Sequence, residues 1–539
     1  MSYPATRTQT SALIDRNDIA VWLTGACFLI PAFYLFLHDQ MRIVIAIMCL
    51  GALIMSWLLT RTIGMIVVFS YLMVLGDLRR IVDELSPSFG GFDLLLIVGP
   101  VFAMYLAAPL LLRLKVDDSL SKAVLALMAM MFLEILNPTQ GSILVGITGS
   151  LFYIIPILWF WIARAYATDR MMFLLFYRVF LPIGVLDGLL GIAQTYVGFF
   201  PWEKAWALKL GTQYTFSAGH MRSFGFSTGA SEFASTLLIA SVCVMAALFA
   251  GRRTYILLLP LLLGASLLSS SRGLIVRLLF GMAIVWAVRA KEGRLWIPRF
   301  IFAIALGCGF VMYSASSAGG DEQPASPPKN STTAQIATAH VTRGLANPLD
   351  AQSSTAGLHW QIFVGGIVKG FINPAGTGIG AVTLAAGKFS PGGAITGSSE
   401  IDISDVFTTL GFLGGLLYLY IIYVVFRTAF VYIREGNPML SFAYVGLFAA
   451  LIGSWLALGQ YSTAPFVWFC IGSLSRKHSV LESAGFRTKN RGTKNKKSQQ
   501  LVPYGTTEVV ITEGTQVRLA GIKSKTIDEN FTQEGFSAH

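Results

Sequence analysis

Charged residues are scarce in this chain. Lys, Arg, Asp and Glu make up 13% of its 539 residues, whereas hydrophobic residues make up 54%. A soluble domain rarely has this composition, and a membrane protein that crosses the bilayer several times commonly does. The formal net charge of +12 is mostly explained by short loops and a basic tail. We therefore expect a membrane protein that does not bind nucleic acid.

Cysteine is rarer still, and its placement argues against two kinds of site. The chain has five cysteines, all inside apolar runs: Cys27, Cys49, Cys243, Cys308 and Cys470. No CxxC pair and no Cys/His spacing occurs among them. A cysteine in an apolar run most often serves as a small buried hydrophobic residue. The sequence thus indicates neither a disulfide framework nor a metal site.

Signatures of nucleotide-dependent and metal-dependent enzymes are also missing. The chain has no P-loop, no GxSxG, no HExxH and no DxD-like motif for the metal of a nucleotide sugar. Residues 1–18 are polar and carry no evident removable signal peptide. We expect no metal and no other cofactor, so that an activated substrate must arrive within the membrane or from outside.

Long apolar runs are what the sequence does have. A spanning helix needs ~20 apolar residues, and in lipid a helix satisfies its own backbone. The third and the last candidate spans are short, so we predict an all-α polytopic membrane protein with about 12–14 transmembrane helices. The candidate spans are 20–37, 43–59, 62–76, 92–112, 120–136, 142–163, 171–198, 232–250, 254–270, 273–290, 297–315, 403–426, 439–457 and 460–475.

Basic residues in alternate loops predict the orientation of these spans. One set of loops is rich in Lys and Arg and is assigned to the cytoplasm, which places both termini inside. Residues 1–475 then form the transmembrane domain, with a large external loop at 316–402. Residues 476–539 form a flexible cytoplasmic tail, whose basic start favours contact with anionic lipid. The predicted location is a bacterial inner membrane.

The external loop divides into three parts. Its start, GGDEQPASPPKNSTTAQ, is predicted to be a flexible linker. From about Gly357 a more ordered part follows, which Pro374 ends and which we expect to be a helix at the membrane surface. Residues 375–399 are glycine-rich, so we expect no regular helix there and a role in lining a cavity. The residues that share one face of the predicted helix are Trp360, Phe363, Ile367 and Phe371.

Two arginines are the strongest candidates for a binding site. Arg222 lies in GHMRSFGFSTGASEFAS and Arg272 in SSSRGLIV, and each patch precedes a long apolar run on the predicted external face. A permanent cation at the hydrocarbon edge is costly, and guanidinium groups suit phosphate. The alternative is that each side chain snorkels towards lipid phosphates. For the pair, we favour a site that binds a phosphate-bearing substrate.

Other polar residues are weaker candidates. Arg277 follows on the same helix and is expected to pair with an internal carboxylate such as Glu134. Asp187 falls in the middle of a span, where a functional role and a structural hydrogen bond are both reasonable. His359 is a candidate base or phosphate donor, or a satisfied histidine at the interface, and Trp360 beside it is a candidate supporting residue.

Three carboxylates stand just before the span 403–426. They are Glu400, Asp402 and Asp405. One of them is a candidate general base that activates a sugar hydroxyl. They are alternatively counter-ions of the arginines, or acidic residues of a solvated helix N-terminus.

The order of these motifs resembles the O-antigen ligase/polymerase superfamily over roughly residues 180–425. The resemblance implies a GT-C-like glycosyltransferase that needs no metal and uses a polyprenyl-diphosphate-linked glycan outside the cytoplasmic membrane. It also implies that Arg222 and Arg272 hold the diphosphate. The motifs that carry it are Arg222-Ser-Phe-Gly-Phe, Ser271-Arg272-Gly273, His359-Trp360, Asn373-Pro-Ala-Gly-Thr-Gly-Ile-Gly380 and Leu410-Gly-Phe-Leu-Gly414.

Two departures from that pattern favour a polymerase over a ligase. Ligases usually carry a His-Asn pair about eleven residues before the Gly-x-x-Gly span, where this chain has Glu400 and Ile401. An arginine that often precedes the Trp of the loop is also absent, with Leu358 and His359 nearby instead. Glu400, Asp402 or His359 would then act as the base.

We therefore interpret the chain as a polymerase of repeat units for O-antigen, capsule or exopolysaccharide. A ligase that transfers the glycan to lipid A core is the first alternative. A transporter or flippase is the second, although no clear internal repeat is present and the candidate residues lie on one face. The expected partners are the lipid-linked glycan, membrane lipid, a flippase and a chain-length regulator.

The missing metal motifs generate a prediction about cofactors. Glycan transfer by the purified protein should survive EDTA, because fixed arginines rather than a metal ion neutralise the diphosphate. The measurement is the yield of transferred glycan in liposomes with and without chelator. Loss of activity that Mg²⁺ or Mn²⁺ restores would contradict the prediction.

Overall fold

The computed structural model describes residues 16–86, 93–210, 216–217, 220–269, 271–289, 298–299, 301, 332–346, 356–389, 401–456 and 461–491. The α-helices of this part are α1 Arg16–Phe36, α2 Met41–Leu59, α3 Arg61–Leu85, α4 Leu95–Leu111, α5 Ser119–Glu134, α6 Ile143–Tyr166, α7 Asp169–Leu174, α8 Leu181–Tyr196, α9 Pro201–Leu210, α10 Ala230–Phe249, α11 Leu259–Leu268, α12 Arg272–Val288, α13 Thr333–Ala346, α14 Ala356–Ile372, α15 Leu384–Phe389, α16 Asp402–Glu435, α17 Pro438–Ala450 and α18 Thr463–Arg491.

Short elements complete the chain path. A π-helical turn joins α7 to α8, and two 3₁₀ turns precede α6 and α11. Two-residue strands, β1 (Phe216–Ser217) and β2 (His220–Met221), pair antiparallel just before Arg222. The prediction of an essentially all-helical chain is therefore confirmed.

Several of these helices are long and apolar enough to cross a membrane. They are Met41–Leu59, Ile143–Tyr166, Asp169–Tyr196, Ala230–Phe249 and Asp402–Ile433. Shorter apolar helices accompany them at Leu23–Phe36, Leu95–Leu111, Arg253–Leu268, Gly273–Val288 and Pro438–Ala450. This is the architecture of a helical membrane protein. The predicted span 297–315 lies almost wholly outside the described residues.

Arg164 and Lys477 lie at one end of the bundle, where aspartates neutralise them, and we call this end the basic end. Arg164 in the last turn of α6 bonds Asp118 at the N-cap of α5. Ser475 of α18 donates to the same carboxylate at 2.6 Å, and Lys477 forms an ion pair with Asp169 at 2.5 Å. The start of the predicted tail is thus part of α18, which runs on to Arg491.

Helices α17 and α18 meet inside the bundle rather than at its far end. α17 has 13 residues, and Thr463 begins α18 only twelve residues before Ser475. Both helices therefore rise only ~18–20 Å from the basic end. Leu451, Trp455 and Leu456 between them are buried. The end of the predicted span 439–457 is wrong in this respect, because the backbone leaves the helix at residue 451, whereas the span 460–475 coincides with the start of α18.

Helix α16 is a hairpin that turns at Gly411. This residue has φ of 69° and ψ of −168°, which only glycine adopts readily. A Cβ on Gly415 would lie 2.4 Å from the ring of Phe407, and one on Gly414 would lie 2.3 Å from the Cβ of Leu410. Residues before the turn therefore fold back on residues after it. We call residues 402–410 the half-helix.

The glycine-rich run after α14 completes the half-helix. Thr377 N–H donates to the carbonyl of Thr408 at 3.0 Å, and Gly378 N–H donates to that of Thr409 at 3.1 Å. These carbonyls would otherwise lack helical partners at the turn. Further along this stretch the expectation of no regular helix is wrong, because α15 forms there.

Helix α14 packs lengthwise on the half-helix instead of lying by itself at a surface. Ser404 Oγ donates to the carbonyl of Phe363 at 2.8 Å, and the rings of Phe371 and Phe412 lie 4.7 Å apart. A Cβ on Gly370 would meet the carbonyl of Phe407 at 2.6 Å. The middle of α14 thus lies beside the start of the half-helix, and its last turn lies beside Gly411.

Helix α13 begins at the end of the segment that the sequence predicts to be a flexible linker. Thr332 N–H donates to Gln335 Oε1 at 2.9 Å, and Gln335 N–H donates to Thr332 Oγ1 at 3.3 Å. This reciprocal pair is a capping box, a signal that is legible in the sequence. Ala337 and Val341 are buried, and α13 packs on α8, α11 and α12.

The hairpin turn generates a prediction about stability. Gly411→Ala should lower the free energy of unfolding by about 1–3 kcal/mol, because a side chain there is strained and its Cβ would lie 2.0 Å from the carbonyl of Pro374. Gly264→Ala in α11 is the control, since nothing lies within 4 Å of that Cβ position. Thermal unfolding in detergent compares the two variants. Equal melting temperatures would refute the strained turn.

Candidate functional site

Residues 222–229, which we call the arginine loop, enter the bundle and are held there by Arg80 of α3. Arg80 Nη1 donates to the carbonyl of Ser227 at 2.8 Å, and Nη2 donates to that of Gly225 at 2.5 Å. Its guanidinium lies 4.5 Å from the centre of the Phe224 ring. Arg80 is only 1% exposed, so its charge serves the loop rather than solvent.

Asp187 of α8 holds the same loop from another side. Its Oδ1 accepts a hydrogen bond from Phe226 N–H at 2.6 Å, and its Oδ2 accepts one from Ser227 Oγ at 3.4 Å. Gly225 has φ of 51°, and a Cβ there would lie 1.9 Å from Asp187 Oδ1. Asp187 is 1% exposed and close enough to Arg80 for their charges to interact. Its contacts are those of a residue that positions the loop.

Gln194 supplies a third attachment, seven residues beyond Asp187 and so on the same face of α8. Its Oε1 accepts hydrogen bonds from the backbone N–H groups of Phe224 at 3.1 Å and Gly225 at 2.9 Å. Its Nε2 donates to Glu203 Oε1 at 2.7 Å. Burial raises the pKa of the Glu203 carboxyl, which lies in α9.

The two arginine patches meet in the structure. Arg222 is half-buried, and its Nε donates to the carbonyl of Ser269 at 3.3 Å. Arg272 is the first residue of α12, and only its backbone position is described. Ser271 gives this helix no side-chain cap, and Ser269, which Arg222 reaches, lies three residues before the helix starts. Uncapped amides beside a guanidinium form an environment that favours an anion.

Arg277 and Asp402 each bond a second loop, residues 451–456. Arg277 Nη1 donates to Ser454 Oγ at 3.1 Å. Asp402 N–H donates to the carbonyl of Gly453 at 2.9 Å, and Asp402 Oδ2 accepts from Leu456 N–H at 2.6 Å. Asp402 is 1% exposed and therefore holds this loop as firmly as Asp187 holds the first.

Among the described contacts, Arg277 bonds Ser454 and Glu134 bonds Asn137, so the expected pair between Arg277 and Glu134 is not among them. Glu134 accepts from Asn137 Nδ2 at 2.6 Å, at the end of α5. Asn137 also donates to the carbonyl of Gly376 in the glycine-rich run. Glu134 thus belongs to the support of that run.

The remaining candidates lie elsewhere or outside the described residues. His359 is half-buried and Trp360 is 65% exposed, both in the first turn of α14. Glu400 is outside the described residues. Asp405, one turn into the half-helix, is buried beside Tyr153 of α6. The described contacts join Arg222 to the second arginine patch and Arg277 to the Asp402 loop, and they leave His359 and Trp360 apart from both groups.

Sequence reasoning missed Arg80 and Gln194. The predicted span 62–76 leaves Arg80 outside the helix, but α3 continues to Leu85 and buries it. Gly76 precedes Arg80 by four residues and shares its face, and a Cβ there would lie 2.0 Å from the carbonyl of Ser227. A glycine one turn before an arginine, without any helix-stop signal between them, was the available clue.

Comparison with known proteins does not assign this chain to a family. No family model matches the chain, and no curated protein or solved structure is significantly similar to it. Among the described residues, no group of three or more His, Cys, Asp or Glu is placed to hold a metal ion. The functional conclusion therefore depends on the geometry around the two loops.

The loop contacts generate a prediction for Asp187. Asp187→Ala should speed hydrogen exchange of the backbone amides of residues 224–227 about 10-fold, because a buried hydrogen bond worth about 1–3 kcal/mol is lost. Thr148→Ala is the control, since Thr148 bonds only the carbonyl of Leu144 in its own exposed helix turn. Unchanged exchange in the arginine loop would show that Asp187 does not hold it.

Proposed function

We propose that this protein polymerises polyprenyl-diphosphate-linked oligosaccharide repeat units of O-antigen, capsule or exopolysaccharide, at the external face of a bacterial inner membrane. One observation carries the proposal. Arg222 Nε reaches the carbonyl of Ser269, which brings the two arginine patches together at the uncapped start of α12. A half-buried guanidinium on a held loop, beside the start of a helix, suits a diphosphate.

The chemistry follows from charge development on the leaving group. As the bond between the anomeric carbon and the diphosphate oxygen breaks, negative charge grows on that oxygen. Donors that are already in place stabilise this charge without reorganising, and they are stronger where water is excluded. Arg80, Asp187 and Gln194 supply that rigidity by fixing the backbone that carries Arg222.

The acceptor hydroxyl needs a base as it attacks the anomeric carbon. Its proton passes to a carboxylate or imidazole while the new carbon–oxygen bond forms and the diphosphate departs. Asp402 is supported for this role by its place at the start of the half-helix, next to the loop that Arg277 also bonds. Glu400 and His359 remain the other proposed bases, with Trp360 as a supporting residue.

We further propose an architecture and partners for this enzyme. The enzyme is a GT-C-like transferase without a metal, with its site open to the external side and its termini in the cytoplasm. Its donor and acceptor are both lipid-linked glycans, which reach the site from the outer leaflet. A flippase would deliver them, and a chain-length regulator would set the product length.

The proposal predicts the effect of removing each cation. Arg222→Ala and Arg272→Ala should each lower glycan transfer at least about 100-fold, by analogy with the loss of an oxyanion donor. Arg289→Ala is the matched control at the other end of α12, where the side chain lies over the Phe249 ring. Each variant is assayed after its membrane level is equalised. Normal polymer from Arg272→Ala would remove the central claim.

The lipid-linked glycans of a deletion strain separate the candidate functions. Mass spectrometry should find single repeat units accumulating on the polyprenyl carrier, as expected when polymerisation stops. Long lipid-linked polymer with a bare acceptor would instead identify a ligase. Intermediates trapped on the cytoplasmic face would identify a transporter.

A further inference from the structure

Glu232, in the first turn of α10, bonds two loops at once. Its Oε2 accepts from the hydroxyl of Thr228 and from Thr228 N–H at 3.4 Å. Its Oε1 accepts from Ser462 N–H at 2.8 Å and Ser462 Oγ at 2.7 Å. The side chain is 2% exposed, so this one carboxylate accepts all four hydrogen bonds inside the bundle.

The two loops carry opposite halves of the candidate site. Thr228 ends the arginine loop, six residues after Arg222. Ser462 stands immediately before α18, at the end of the chain segment whose start bonds Asp402 and Arg277 through Gly453, Ser454 and Leu456. Glu232 therefore links the arginine loop to the start of α18, the helix into which the chain from residues 451–456 leads.

We propose that Glu232 is a positioning residue that fixes the separation between Arg222 and Asp402. The inference rests on the proposed transferase function, since it assigns that separation to the distance between leaving group and base. It goes beyond the sequence interpretation, in which Glu232 had no role. Glu232 itself touches neither substrate nor reacting atoms.

The geometry of the link explains why a simple helix cap would not suffice. An acidic residue in a first turn is favoured by the helix dipole even when it faces water. Here one oxygen bonds Thr228 just before α10, and the other bonds Ser462 at the start of α18, whose hydroxyl is committed to Glu232. Glutamine would replace one acceptor oxygen by an NH₂ group that faces donors. Aspartate would keep the charge but shorten the side chain by one methylene.

Loss of the link should act on the chemical step more than on binding. A displacement of about 1 Å between reacting groups costs up to about 100-fold in rate. The donor diphosphate still meets Arg222, whose loop keeps its bonds to Arg80 and Asp187. We therefore expect Glu232→Gln to lower kcat by about 10- to 100-fold while the KM for the lipid-linked donor changes less than about threefold.

Asp118→Asn is the matched control. Asp118 is also a buried carboxylate that accepts from a serine of α18, Ser475, and from a backbone N–H, that of Ser121. It lies at the basic end, away from both loops. Its loss should lower stability without changing kcat relative to KM. A fall in kcat in Asp118→Asn equal to that in Glu232→Gln would overturn the proposal.

A second measurement tests the link without any activity. Spin labels at Phe226→Cys and Ile452→Cys, both half-buried positions of the two loops, report their separation in the full-length protein freed of its native cysteines. Glu232→Gln should broaden or shift the distance distribution, and Asp118→Asn should leave it unchanged. An unchanged distribution in Glu232→Gln would overturn the proposal. If the wild type transfers no glycan but Glu232→Gln broadens the distribution, the link stands and the transferase function fails.

Discussion

Backbone that leaves a helix inside an apolar bundle must still find hydrogen-bond partners, and this constraint determines where the buried polar side chains of this protein lie. The arginine loop and residues 451–456 both interrupt helical structure within the bundle. Each is bonded by buried side chains, Arg80, Asp187 and Gln194 for the first and Asp402 for the second. Without these side chains, several backbone amides and carbonyls would have no hydrogen-bond partner in a region that contains no water.

At the arginine loop this constraint separates supporting residues from reacting ones. A buried charge in a membrane protein is a natural candidate for catalysis, yet Asp187 and Arg80 form hydrogen bonds with the loop backbone. What they hold in place is Arg222, which is half-buried and reaches Ser269. The proposed chemistry is thus assigned to the loop residue, and its precision to the helix residues beneath it.

Hydropathy predicted the helices well and their interruptions poorly. The run 439–457 is apolar throughout, so nothing in its composition marks the point where the backbone leaves the helix near Leu451. The span 403–426 likewise hides a reversal at Gly411, which only the local Gly-Phe-Leu-Gly-Gly pattern hints at. The arginine patches were legible because glycine, serine and a cation are unusual beside apolar runs. Arg80 and Glu232 were not, since the loop partner Ser227 of Arg80 and the partner Ser462 of Glu232 each lie more than a hundred residues away in the chain.

The hairpin at Gly411 has a consequence for biogenesis. The half-helix is too short to cross a bilayer, and its two aspartates would each cost about 2.5–3.5 kcal/mol if inserted alone at mid-membrane. It therefore cannot enter lipid as an independent unit from the insertion machinery. It must dock after α5, α6 and α14 have assembled around its place, together with the long arm that follows it. The surroundings of Asp402 are then among the last parts of the nascent protein to be completed, and a chain released before that arm emerges carries its arginines with Asp402 not yet docked.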